Sequence, residues 1–217
     1  EIGLPPIPKP EYNLKINDLN RWEEKWDKAR SVMILLGSLA PDAVLNELLS
    51  VLAENYRVIV LTETTSNMHN PLFISCIDRV LASIPEEEEN LFSPDILITF
   101  DGQVTSKMIK KLLRKNKPKE HWHISPKDQH PDTYRCLTES IRTLPENFFE
   151  ALLSIVEPKD DRFFQAWQDQ NKRAKERHTR FSENVKWSDF KAFSILTGQI
   201  PEGMMIQLAN STPIRYA

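Results

Sequence analysis

Glycine is scarce in this chain. Five occur in 217 residues, at Gly3, Gly37, Gly102, Gly198 and Gly203, and no two stand in a GxG or GxxxxGK pattern. A main chain that wraps a phosphate needs such glycines, because only a residue without a Cβ lets backbone approach an anion closely. A catalytic or NAD-binding role for this domain alone is therefore disfavoured. Cysteine is scarcer still. Cys76 and Cys136 lie far apart and form no CxxC pair, which fits a reducing compartment, most simply the cytoplasm. Both thiols read as small buried hydrophobes. No apolar run is long enough to span a bilayer, and the opening EIGLPPIPKP (1–10) lacks a charged-then-apolar leader pattern. The net charge of −3 gives no overall attraction to nucleic acid or to an anionic membrane.

What is present is an ordinary globular composition, 40% hydrophobic and 27% charged, with length for one core plus appended helices. Amphipathic helices are expected at 17–29, 41–56, 70–84, 105–115 and 145–156. Asn17 or Asp18 is the expected cap of the first, and Pro41 stands near the first position of the second. Short continuous apolar runs at 31–38, 57–63, 95–102 and 120–125, with a weaker one at 134–141, read as strands buried on both sides. Strand and helix alternate with short connections. That pattern predicts an α/β fold: an open, mostly parallel, doubly wound sheet of five to six strands, Rossmann-like but without a nucleotide-binding glycine loop.

The texture changes after residue 156. Residues 158–185 read as one long polar helix with a narrow stripe of Phe163, Phe164, Trp167, Ala174, Phe181 and Val185. Residues 187–203 read as a second helix capped by Ser188, with Phe190, Phe193 and Leu196 inward. The expected organisation is an interdomain linker (1–13), an α/β domain (14–156), connector helices (157–203) and the start of a further domain (204–217). In that last segment, MMIQLANSTPIRYA reads as a buried strand running into Asn210-Ser211 and a helix start that carries Arg215. Both ends read as cuts through a longer protein. The acidic stretch PEEEEN (85–90) reads as a solvated turn.

The run IPEGMMIQLANSTPIR (200–215) resembles the junction into the third domain of the SEPHCHC synthases, thiamine-diphosphate enzymes of menaquinone biosynthesis. Their Asn-Ser-x-x-x-Arg motif is matched by Asn210, Ser211 and Arg215. The stretch LITFDGQVTSKMIKKLLRKNKPKEHWHIS (97–125) is similar to the family's strand, Thr-x-Lys helix start and Trp-bearing strand, and ETTSN (63–67) resembles a loop of some members. The resemblance implies a central domain between pyrimidine-binding and diphosphate-binding domains, with thiamine diphosphate and Mg2+ held outside it, in an oligomer of two or four subunits. It implies decarboxylation of 2-oxoglutarate and addition of the carbanion to isochorismate. It places no catalytic, cofactor or metal residue here, and the chain alone is expected to be inactive. Two other readings remain open: the central domain of another thiamine-diphosphate enzyme with an FAD- or ADP-type site, and a freestanding α/β interaction module.

Four residues stand out as substrate contacts. A helix start offers free N–H groups and partial positive charge, so Ser211 with Arg215 one turn on is a credible carboxylate site. A common serine cap beside a solvated arginine is the plainer alternative. The resemblance assigns Asn210, Ser211 and Arg215 to the substrate side. It assigns Lys107 likewise, although Lys107 also reads as one more cation on a basic helix. His121 and His123 share a strand face and, with Asp128 and His130, form a loose zinc pattern; packed histidines are the stronger reading. Glu63 and Asp101 end strands, and either pair with each other or cap the turns that follow.

Overall fold

The computed structural model describes residues 16–100, 102–127 and 131–207. Through them run α1 (Ile16–Lys28), β1 (Val32–Leu35), α2 (Ala43–Asn55), β2 (Ile59–Leu61), α3 (Ile77–Leu81), β3 (Ile96–Phe100), α4 (Lys107–Lys115), β4 (Glu120–Ile124), β5 (Glu139–Ile141), α5 (Pro145–Leu153), α6 (Asp161–Asn184) and α7 (Asp189–Gly198). The chain divides into two compact units, Glu1–Asn171 and Lys172–Ala217.

The first unit carries the sheet. Its five strands are all parallel and stand in the order β2-β1-β3-β4-β5. Ile34 pairs with Val60 on one side and Ile98 on the other, and Thr99 pairs with His123. β1, β2 and β3 are buried at every position, which is why their sequences are continuous apolar runs. Val32, Ile34, Val60, Ile98, Trp122 and Ile141 face a cluster built with Trp22 and Trp26 of α1, Leu49 and Leu52 of α2, and Phe148 and Phe149 of α5. Phe148 meets Trp22 edge-on at 5.2 Å and Trp122 at 6.4 Å. Each such fully buried side chain contributes about 1.5–3 kcal/mol. The alternate residues Met33, Leu97, Thr99, His121 and His123 point to the opposite face, where the buried sides of α3 and α4 pack together. The start of α6 lies against that layer: Trp167 stands edge-on to Phe92 at 5.4 Å, and Gln170 donates to the Ser83 carbonyl at 2.9 Å.

Local chemistry sets the boundaries. Asp42 caps α2, accepting from the Leu45 N–H at 2.9 Å, so Pro41 stands just before the cap and not at the first helical position. α1 begins at Ile16, so Asn17 and Asp18 lie within its first turn. Glu139 ties β5 to α1 by accepting from Arg21, Trp22 and Lys25 at 2.9, 2.9 and 2.5 Å.

Several expectations are corrected. The helix expected over 70–84 is confined to Ile77–Leu81. Asn70 closes a turn on the Leu72 N–H, and Ile74 is drawn into a parallel bridge with Leu61, so this backbone satisfies its hydrogen bonds on the edge of β2. The weak strand at 134–141 shrinks to Glu139–Ile141, because the Asp132 carboxylate gathers the Cys136 and Leu137 N–H groups into a turn with Arg135 at φ 60°. The acidic stretch forms a 3-10 helix (Glu86–Phe92) in which Glu86 and Glu89 hold Lys115 at 2.7 and 2.8 Å. Cys76 is exposed and Cys136 half-buried, since neither sits on a core-facing position.

The second unit holds the end of α6 and α7, joined by ring contacts of Phe190 with Phe181 at 5.6 Å and with His178 at 5.8 Å. Leu196 and Phe181 are exposed, not inward, because α7 has no layer over its outer side among the described residues. The strand expected from residue 204 does not form over 204–207. Met205 is 87% exposed there, and among the described residues no strand offers those N–H and C=O groups a ladder.

Candidate functional site

In an open parallel sheet, ligands lie outside the carboxyl ends of the strands where the order reverses. Here that point falls between β1 and β3. Two glycines meet across it. A Cβ on Gly37 would stand 2.4 Å from the Gly102 carbonyl oxygen, and one on Gly102 would stand 2.3 Å from that of Ser38. Gly102 also has φ +111°, a conformation that side chains resist. The Ser38 N–H donates to the Gln103 carbonyl at 3.3 Å, which joins the two loops. Backbone thus fills the usual cradle, and these described residues do not fit a diphosphate.

The loop after β2 is joined to the same plate. Glu63 reaches across to the segment before α4. Its carboxylate accepts from the Thr105 N–H at 3.0 and 2.8 Å, the Thr105 hydroxyl at 2.5 Å and the Ser106 N–H at 2.7 Å. Ser106 caps α4 by accepting from the Ile109 N–H at 3.1 Å, while its hydroxyl donates to Asp78 of α3. The Glu63 N–H donates to the Ser66 hydroxyl at 2.9 Å. Leu39 donates to the Thr65 carbonyl at 2.9 Å, and the Asn67 amide donates to the Leu39 carbonyl at 2.6 Å. Glu63 thus stands at the N-cap of the 3-10 turn Thr64–Ser66 that follows it, and its carboxylate also binds the backbone just before α4. Lys107 is the first residue of α4, exposed, and without an ion pair among the described residues.

Beside this plate lies a cavity of about 160 Å³ lined by Leu35, Thr99, Phe100, Lys110, His123 and Tyr134, among others. The Thr99 hydroxyl stands 2.8 Å from His121 Nε2 and 3.0 Å from His123 Nδ1. Tyr134 meets the His121 ring edge-on at 5.4 Å. Burial, helped by the His123 charge, pushes the His121 pKa down to about 4, against an opposing pull from Asp132. Its Nδ1 has no hydrogen-bond partner among the described residues, so a proton added there would be poorly solvated. Burial, and then the Glu63 charge, pushes the Tyr134 phenol up. Burial and the Asp132 charge push the Cys136 thiol up to about 11. Near neutral pH all three groups are uncharged. Among the described residues the arrangement offers hydroxyl and imidazole hydrogen bonds and the Lys110 ammonium.

The residues singled out by the sequence do not converge in one described place. Lys107 stands on the plate. Asn210, Ser211 and Arg215 lie outside the described residues, as do Asp101, Asp128 and His130. No group of His, Cys, Asp and Glu able to hold a metal occurs among the described residues. The Thr99–His121–His123 contact was half legible, since strand alternation puts both histidines on one face. The partnership of Glu63 with Thr105, 42 positions away, had no local signal. No described helix is long and apolar enough to cross a membrane.

Comparison with known proteins places this geometry. A family profile described as "Middle domain of thiamine pyrophosphate" matches residues 10–204. The 2-succinyl-5-enolpyruvyl-6-hydroxy-3-cyclohexene-1-carboxylate synthase of Flavobacterium psychrophilum is 32% identical over 205 residues, 94% of this chain. The synthase of the same name from Christiangramia forsetii is 34% identical over 219 residues, 99% of this chain. The chain spans 37% of the length of each of these two relatives. With an open parallel sheet, a filled phosphate cradle and a profile match over nearly its whole described length, the chain belongs to the middle-domain family of thiamine pyrophosphate enzymes.

Proposed function

We propose that this chain serves as the middle domain of a thiamine-diphosphate-dependent SEPHCHC synthase. One observation carries the reading: relatives of that single name align along nearly the entire chain. In this reading the enzyme decarboxylates 2-oxoglutarate and adds the resulting succinyl carbanion to isochorismate, releasing CO2. Thiamine diphosphate and Mg2+ are held by the flanking pyrimidine-binding and diphosphate-binding domains of a cytoplasmic homo-oligomer, a dimer or tetramer. The filled cradle at Gly37 and Gly102 supports a scaffold role for this domain. Lys107 extends toward the substrate from the carboxyl end of the sheet, a role supported by its exposure and its place on the first turn of α4. Asn210, Ser211 and Arg215 receive a substrate carboxylate, as an amide, a hydroxyl and a guanidinium are suited to do.

The test uses the complete enzyme with thiamine diphosphate and Mg2+. CO2 release and isochorismate consumption are expected only when both substrates are supplied. Arg215→Ala is expected to raise KM for a carboxylate substrate or lower turnover by about tenfold or more, with the melting temperature little changed. An enzyme that leaves 2-oxoglutarate intact refutes the reading. A variant with unaltered kinetics removes Arg215 from the site. Calorimetry on residues 1–217 alone is expected to show no thiamine-diphosphate binding.

A further inference from the structure

We infer that Glu63 is a positioning residue for Lys107. Its carboxylate, carried on the loop after β2, fixes the Thr105-Ser106 backbone from which Lys107 departs. The inference rests on the proposed substrate role of Lys107 and adds the residue through which that role is set.

Helix α4 does not need Glu63 in order to be capped. The Ser106 hydroxyl already accepts from the Ile109 N–H at 3.1 Å, which is the ordinary serine cap. Glu63 takes different donors, upstream of that bond. It accepts from the N–H groups of both residues that precede Lys107 and from the Thr105 hydroxyl, at 2.5 to 3.0 Å. These fix the approach of the chain to the helix, and with it the direction of the first helical side chain. Glu63 is itself fixed, because its N–H donates to Ser66 at 2.9 Å within a 3-10 turn. Ser106 is held from a second side by Asp78.

Charge adds to the argument. Glu63 is only half-buried, so its contacts contribute little to the core. Lys107 is one residue beyond the gripped backbone and makes no ion pair with Glu63 or any other described carboxylate. The carboxylate is spent on backbone N–H groups, which leaves the ammonium available to an incoming anion. Supporting contacts of this kind hold a reacting geometry within a fraction of an ångström.

The experiment is a double-mutant cycle in the complete enzyme loaded with thiamine diphosphate and Mg2+. Glu63→Gln keeps the size but loses the charge and one acceptor. It is expected to raise KM for the carboxylate substrate about tenfold, the scale of a small misplacement, and to change kcat far less. In a Lys107→Met background the same substitution is expected to add nothing further, because its effect passes through Lys107. A merely structural Glu63 would cost the same factor in both backgrounds, and that result overturns the inference, as does an unchanged KM. If Glu63→Gln fails to fold, Thr105→Ala removes one hydroxyl from an exposed position. Its expected rise, about threefold, must likewise vanish in the Lys107→Met background, and persistence or absence of the rise overturns the inference. A Lys107→Met enzyme with normal kinetics removes both residues while leaving the synthase reading intact. An inactive wild-type enzyme removes the synthase reading itself.

Discussion

Acidification should unfold this chain through His121. The imidazole is 1% exposed, and burial holds its pKa near 4, against an ordinary 6.5. The sign follows from which state takes up the proton. Above 6.5 the ring is neutral in the folded and unfolded chains alike, and its contribution to stability is complete. Between 6.5 and about 4 only the unfolded chain binds the proton, so stability falls with pH. At roughly 1.36 kcal/mol for each tenfold difference in proton affinity, the loss reaches about 3 kcal/mol at the acid end. That is a large share of the 5–15 kcal/mol typical of a domain. His121→Gln isolates the effect, since an amide can keep a hydrogen bond to Thr99 but cannot titrate. The variant should be less stable than the wild type by about 1–2 kcal/mol at neutral pH, from imperfect hydrogen bonding and packing. The gap should close, then reverse, as pH falls below 5. Urea titrations followed by tryptophan fluorescence suit the measurement, because Trp22, Trp26, Trp122 and Trp167 are all buried in the first unit. Parallel stability curves for the two proteins, or a His121 ring found by NMR to titrate near 6.5, would refute the reasoning.

Gly37→Ala should destabilise the chain by about 3 kcal/mol or more, because the added methyl meets the Gly102 carbonyl at 2.4 Å with backbone on both sides; an unchanged melting temperature would show that the two loops separate easily. Asp95 should supply a second acid dependence at lower pH. Burial pushes its carboxyl up, but the Lys119 ammonium and the Arg30 N–H, both at 2.8 Å, together hold it below its ordinary 3.8. Its contribution is present above that value and lost as pH falls through the lower folded pKa. Asp95→Asn should cost about 1–2 kcal/mol at neutral pH and cost progressively less in strong acid; a difference independent of pH would remove the charge from the explanation.

The strands were legible because a parallel sheet buries both faces, and VMIL, IVL and ILITF carry that fact in composition alone. The cap Ser188 was legible because a cap bonds within its own turn. What escaped was non-local. Residues 70–76 have helical periodicity, yet Ile74 finds a better use for its N–H and carbonyl on the edge of β2. Glu63 serves a helix that the chain reaches only after a further strand. Leu196 fits an inward helical stripe, but periodicity cannot say whether a partner layer exists, and the residue is 61% exposed. That Gly37 and Gly102 would close the crevice against each other had no signal in the sequence either, because the two stand on loops after different strands.

The order of strands in the sheet has a bearing on biosynthesis. β1 pairs first with β2; then β3 joins the free side of β1, β4 joins β3, and β5 joins β4. Each newly translated strand is added at an open edge, and none must be inserted between two that are already paired. The sheet can accrete outward as the ribosome delivers it, with α2, α3 and α4 arriving between strands. Until β3 emerges, however, the apolar flank of β1 has no ladder partner, and that interval is when a nascent chain of this topology most needs shielding from its neighbours.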